Sequence, residues 1–116
     1  MIMRAAERRL GEIVILDISL SDTKELLCEV DATFNAVLDR GEKNIIMNFE
    51  KLTFFDASCI AFISASFSTA KKVDAQIKFV IPHPGAKEIL RICKLDTVIE
   101  SFDNEAEAVA SFVDLA

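Results

Sequence analysis

Asn48–Ile63 reads NFEKLTFFDASCIAFI, and its period changes partway: an apolar, strand-like run ends at Asp56, a small polar turn follows, and a second apolar run opens with helical spacing. A strand that passes into a helix through a short turn is one joint of a β–α unit. The same turn places Ser58 at a helix N-terminus. Backbone N–H groups there lack intrahelical partners and the helix dipole favours negative charge, so an oxygen at that position meets a ready anion site. The Ser58 hydroxyl is therefore a candidate phosphorylation switch.

Outward from this joint, the β-branched runs IVILDI (Ile13–Ile18), IIMNF (Ile45–Phe49), IKFVI (Ile77–Ile81) and the weaker VIESF (Val98–Phe102) read as strands. Helical patterns separate them. Leu26, Leu27, Val30, Phe34, Val37 and Leu38 recur at three- and four-residue spacing, with Asp22 as a cap and Gly41 as a stop. After Ser58, Ile60, Ile63, Phe67 and Ala70 form one stripe and Phe62, Ala65, Ser66 and Thr69 a neighbouring one, which describes a helix buried on more than one side. Pro84 starts a third helix carrying Ala86, Ile89, Leu90 and Cys93. Asn104 and Glu107 make a capping pair ahead of Ala108, Val109, Phe112 and Val113.

Strand–helix alternation of this kind predicts an α/β fold: a mixed, mostly parallel sheet of four to five strands, right-handed crossovers and about four helices, with residues 1–116 as one domain. Ile2–Ala5 adds a short antiparallel edge strand. The length suffices to bury roughly two thirds of the surface of the unfolded chain without staples.

With 13 Lys and Arg against 19 Asp and Glu, the net charge is −6, which argues against nucleic-acid binding because phosphate-backbone affinity comes from clustered cations. Arg4, Arg8 and Arg9 form a locally basic start and read as a solvated segment. No apolar run approaches the roughly 18 residues of a membrane span, and Glu12 and Asp17 interrupt the stretch where a signal-peptide core would lie. A soluble, cytoplasmic protein is expected. Cys28, Cys59 and Cys93 are odd in number, form no CxxC pair, and have only His83 as a nitrogen ligand, so neither a disulfide nor a zinc framework is expected. Cys28 and Cys93 fall in helical apolar patterns and read as small core residues. His83, in Pro82-His83-Pro84-Gly85, reads as a solvated turn residue. Nothing in the chain has the pattern of a phosphate loop or a catalytic carboxylate pair, so no cofactor or nucleotide site is expected.

The whole pattern resembles the STAS domain, the fold of bacterial anti-sigma factor antagonists. Leu52, Thr53, Phe54, Phe55, Asp56, Ala57, Ser58 and Cys59 correspond to the family's Leu-led strand end and Asp-Ser-Ser-Gly-like turn, with Ala57 for the first serine and Cys59 for the glycine. Ile89, Leu90, Leu95 and Asp96 resemble its Ile-Leu and Gly-Leu-Asp elements, with Lys94 at the glycine. Ala75 is a further position where the family often has glycine. The ending ESFDNEAEAV resembles the family's final strand, acidic turn and helix.

The resemblance implies that Ser58 is phosphorylated by a partner anti-sigma factor that is also a serine kinase, that the unmodified protein binds this kinase and frees a sigma factor, and that a phosphatase reverses the block. It also implies a non-enzymatic domain. Partner contacts are expected from Phe54, Phe55, Asp56, Ala57, Ser58 and Cys59, with Ser21 and Asp22 flanking the turn. Asp56 and Asp22 have capping as a competing role, and Ser58 that of an ordinary first-turn residue. Two other functions stay open: a constitutive adaptor in a lipid-transport or stress-signalling assembly, and an enzyme with Cys59 as nucleophile at the helix N-terminus.

Overall fold

The β-branched runs become strands and the three- and four-residue repeats become helices, in the order β1 (Ile2–Leu10), β2 (Ile13–Ser21), α1 (Cys28–Asp39), β3 (Asn44–Asn48), α2 (Ala57–Lys72), β4 (Gln76–Val80), α3 (Pro84–Ile92), β5 (Glu100–Phe102) and α4 (Glu105–Ala110). The computed structural model describes residues 2–21, 28–52 and 57–112, and side chains over 5–19, 32–52 and 59–112. The five strands form one sheet in the order β1-β2-β3-β4-β5. β1 runs antiparallel to β2, and the pairs β2–β3, β3–β4 and β4–β5 are parallel. This is the mixed, mostly parallel α/β sheet expected from the sequence.

Because each parallel strand is added on the same side of the last, right-handed crossovers place α1, α2 and α3 on one face. Val14, Leu16, Ile45, Met47, Ile77 and Phe79 point to that face and pack with Phe34, Ile63 and Leu90 from the three helices. The strands' other residues form a smaller core, in which Ile13, Ile15, Ile46 and Val80 meet Ala108 of α4 and Phe112 just beyond it. Lys78 is also buried on this side. Its ammonium donates to Ser111 Oγ at 2.8 Å and pairs with Glu100 at 2.9 Å, lying 4.4 Å from the centre of the Phe112 ring. The α4 segment is thereby tied to β4 and β5.

Three sequence expectations are corrected by the fold. The edge strand runs nine residues to Leu10, not four to Ala5, because Gly11 takes a φ of +62° in a two-residue hairpin loop, a conformation that suits tight antiparallel turns. The basic run is thus part of the sheet rather than a solvated tail. Arg9 pairs with Glu42, while Arg40 pairs with Glu7 at 2.7 Å and holds that carboxyl below its usual range. α2 is buried along one side only: Cys59, Ile63, Ser66 and Ala70 face inward, whereas Ala61, Ser64, Ala65 and Ser68 are exposed. Small side chains carry too little area to reveal which way they face. Leu26 and Leu27, read as helical, lie outside the described residues.

Helix ends agree with their sequence signals. Asn104 Oδ1 accepts from the Glu107 N–H at 2.9 Å at the start of α4, and Gly41, φ +85°, follows α1. α2 and α3 close in Schellman turns: Ala75 N–H reaches Ala70 O and Leu95 N–H reaches Leu90 O, both at 2.9 Å. The left-handed residues in these turns are Asp74, φ 57°, and Lys94, φ 60°, not glycine. A side chain there carries a cost that glycine avoids. Lys94→Gly is expected to stabilise the fold by about 0.5–1 kcal/mol, after the extra freedom of unfolded glycine is deducted. Thermal unfolding should show a midpoint about 2–4 °C higher.

Candidate functional site

The β3–α2 joint is built from its root. Phe49 leaves β3 with its N–H on Val80 O at 2.9 Å, and Leu52 N–H closes onto Phe49 O at 3.1 Å. Asn48, itself buried, accepts the Glu50 N–H on Oδ1 at 2.8 Å. The Leu52 side chain is buried, and its carbonyl lies 2.5 Å from His83 Nε2. Since a carbonyl only accepts, Nε2 carries the proton. His83 is therefore half-buried and bonded, not the solvated turn residue its Pro- and Gly-rich surroundings suggested. The contact links the β4–α3 connection to the root of the β3–α2 connection.

Across the joint, Ala57 and Ser58 are the first two residues of α2, where N–H groups have no partner within the helix. No acidic residue lies in that first turn, while Lys71 and Lys72 occupy the last. Lys71 and Lys72 compensate the negative end of the dipole, and the positive end favours an anion. Cys59 is 3% exposed, so its bulk fills the core. Burial also disfavours the thiolate and blocks access to an electrophile, against a nucleophilic role. Cys93, expected in the core, is exposed because it caps the end of α3. Phe54, Phe55, Asp56 and Asp22 lie outside the described residues, and Ser21 ends β2.

A polar cluster lies beside the joint on the α4 face. Arg8 grips Asp17 with two hydrogen bonds, Nε to Oδ2 at 2.5 Å and Nη2 to Oδ1 at 2.9 Å. The same guanidinium donates to Glu105, which also accepts from Asn48 Nδ2 at 3.0 Å. Asp17 and Asn48 are buried and are partners in the β2–β3 register. Arg8, followed by Asn48, holds the Glu105 carboxyl below its ordinary range, and Asp17 and Glu105 raise the Arg8 guanidinium above its own. With Glu50 and Lys51 these residues line a cavity of about 370 Å³. This chain runs from the edge strand through α4 to Asn48, and through its Oδ1 to the backbone of the joint. Sequence reading missed it, although charged or amide residues within apolar strands, Asp17 in IVILDI and Asn48 in IIMNF, are the available signal.

No helix among the described residues is long and apolar enough to cross a membrane, and among those residues no group of His, Cys, Asp and Glu is arranged to hold a metal ion. An anti-sigma factor antagonist from Mycobacterium paratuberculosis shares the fold with a TM-score of 0.76, over 94% of this chain and 92% of its own, at 10% identity. Bacillus SpoIIAA in its phosphorylated form gives 0.67 over 92% and 97% of the two chains at 19% identity. Its unphosphorylated form gives 0.69 over 95% and 97% at 17% identity. No curated protein sequence matches this chain. A sequence model of the STAS domain matches residues 6–108, from within β1 to within α4, so the strand order, the β3–α2 joint and the returning helix all fall inside the match, and the chain belongs to the STAS domain family.

Proposed function

We propose that the chain is an anti-sigma factor antagonist: a binding module that engages an anti-sigma factor with serine kinase activity and is switched off by phosphate on Ser58. The observation that carries this reading is the position of Ser58 as second residue of a 16-residue helix whose first turn contains no acidic side chain. A phosphoryl group adds nearly two negative charges and three acceptor oxygens, which a helix N-terminus and its dipole receive well. Retention of the same fold by phosphorylated and unphosphorylated SpoIIAA supports a switch that changes the surface and leaves the domain intact. A partner packed on that surface has to desolvate the new charge, and each tenfold loss of affinity corresponds to about 1.4 kcal/mol. The domain supplies no chemistry in this scheme: ATP belongs to the kinase, and a separate phosphatase resets Ser58.

The test is recovery of the protein with its partners from native cells, with phosphate at Ser58 quantified by mass spectrometry, beside the Ser58→Ala and Ser58→Asp forms. Expected is phosphate on Ser58, a serine kinase bound to the Ala form, and binding by the Asp form weakened tenfold or more, about 1.4 kcal/mol. Identical partners for both forms, with no phosphate at Ser58, would overturn the switch and leave a constitutive STAS adaptor.

A further inference from the structure

We infer that His83 is a positioning residue for the Ser58 turn, an assignment that rests on the switch reading above. Leu52 is the last described residue on the strand side of the joint and its side chain is buried, as is that of Cys59 on the helix side; both belong to one core. Packing fixes where these two residues lie, but a carbonyl can still rotate about its flanking bonds. The 2.5 Å contact from His83 Nε2 fixes the Leu52 carbonyl, the last described peptide group before α2. His83 is itself held, since it is the N-cap of α3 with Pro84 following and the Ala86 N–H returns to its carbonyl at 3.0 Å. The imidazole thus transfers the rigidity of the α3 start to the joint. Asn48 braces the same segment from the other face through Glu50 N–H. Presentation of Ser58 to a kinase then depends on a side chain 25 positions later in the chain, in a different connection.

The residue's geometry makes the test specific. Glutamine places its amide nitrogen near the position of Nε2, asparagine near that of Nδ1, and alanine places nothing. Amide hydrogen exchange is to be followed by NMR at Leu52, at Ala61, whose i to i−4 partner is Ala57, the first residue of α2, and at Phe79 in β4 as a control, in the wild-type chain and in His83→Ala, His83→Asn and His83→Gln. Expected is exchange about tenfold faster at Leu52 and Ala61 in the Ala and Asn forms, as befits one buried hydrogen bond, near wild-type rates in the Gln form, and no change at Phe79. Equal rates in all forms, failure of Gln to restore protection, or faster exchange at Phe79 alongside the others would overturn the assignment. Should the Ala form not fold, the Asn and Gln forms decide the matter by the same comparison. Phosphate occupancy of Ser58 in native cells, measured on the same variants, tests the reading beneath it separately: no phosphate on the wild-type chain sinks the switch, while the exchange rates still decide what His83 does.

Discussion

Phe49→Ala is expected to destabilise the protein by about 3–5 kcal/mol, equivalent to a midpoint roughly 12–20 °C lower for a chain of this size. Phe49 is fully buried at the point where β3 gives way to the β3–α2 joint. Its ring stacks on Phe79 of β4, centroids 6.4 Å apart, and meets Phe62 of α2 edge-on at 6.5 Å. Truncation removes the ring's transfer free energy and leaves a cavity walled by a strand on one side and a helix on the other, neither free to close it. That loss is a large part of the 5–15 kcal/mol that holds a typical domain folded. Phe49→Leu keeps most of the volume and should cost about 1.5 kcal/mol. Chemical denaturation of the two variants checks both values. A Phe49→Ala loss below about 1 kcal/mol would mean that the joint is not packed as described.

Phe49 also shows why the fold was legible in the sequence. It ends the run Ile45–Phe49, interrupted only by Asn48, and the change of period at Asp56 separates β3 from α2, with strand limits within a residue of those expected. Ser58 was legible for the same reason, being the second residue after the change. What escaped was long-range pairing. Arg8 and Glu105 meet across 97 positions, and local pattern has nothing to say about such a pair. A basic run looks solvated until the strand that carries it has a neighbour. His83 was misread because Pro and Gly mark a turn without revealing what the turn packs against. The exposed side of α2 was missed because alanine and serine fit either side of a helix.

Arg8→Ala is the other change with a large expected effect, about 2 kcal/mol. The figure lies between two limits. A fully buried pair costs 3–5 kcal/mol to break because the remaining charge stays unpaired, while an exposed pair is worth 0–1 kcal/mol. Here the arginine side chain is 47% exposed and its Asp17 partner 10%, so solvent screens the cation and not the anion. The loss comes mainly from stranding Asp17 in the sheet. Asp17→Asn in the Arg8→Ala background removes that charge and should recover about half of the lost stability, which a double-mutant cycle measures as coupling. Purely additive single and double variants would refute the pairing as a source of stability.

Acidity separates the Glu105 carboxylate from the arginine. Arg8 keeps its proton in the folded and unfolded states and adds no pH dependence of its own. Glu105 is held below its ordinary value, chiefly by Arg8. A carboxyl whose folded value is depressed contributes stability that is fully present above its unfolded value, about 4.5, and is lost as pH falls through the lowered folded value. Without Arg8 most of that depression disappears. The stability gap between wild type and Arg8→Ala should therefore be widest near pH 7 and shrink as the pH falls below about 4.5. Urea denaturation of both proteins from pH 7 down to pH 3 reads the gap directly. A gap that stays constant across the range would assign the effect of Arg8 to packing of its aliphatic stem along the sheet rather than to charge.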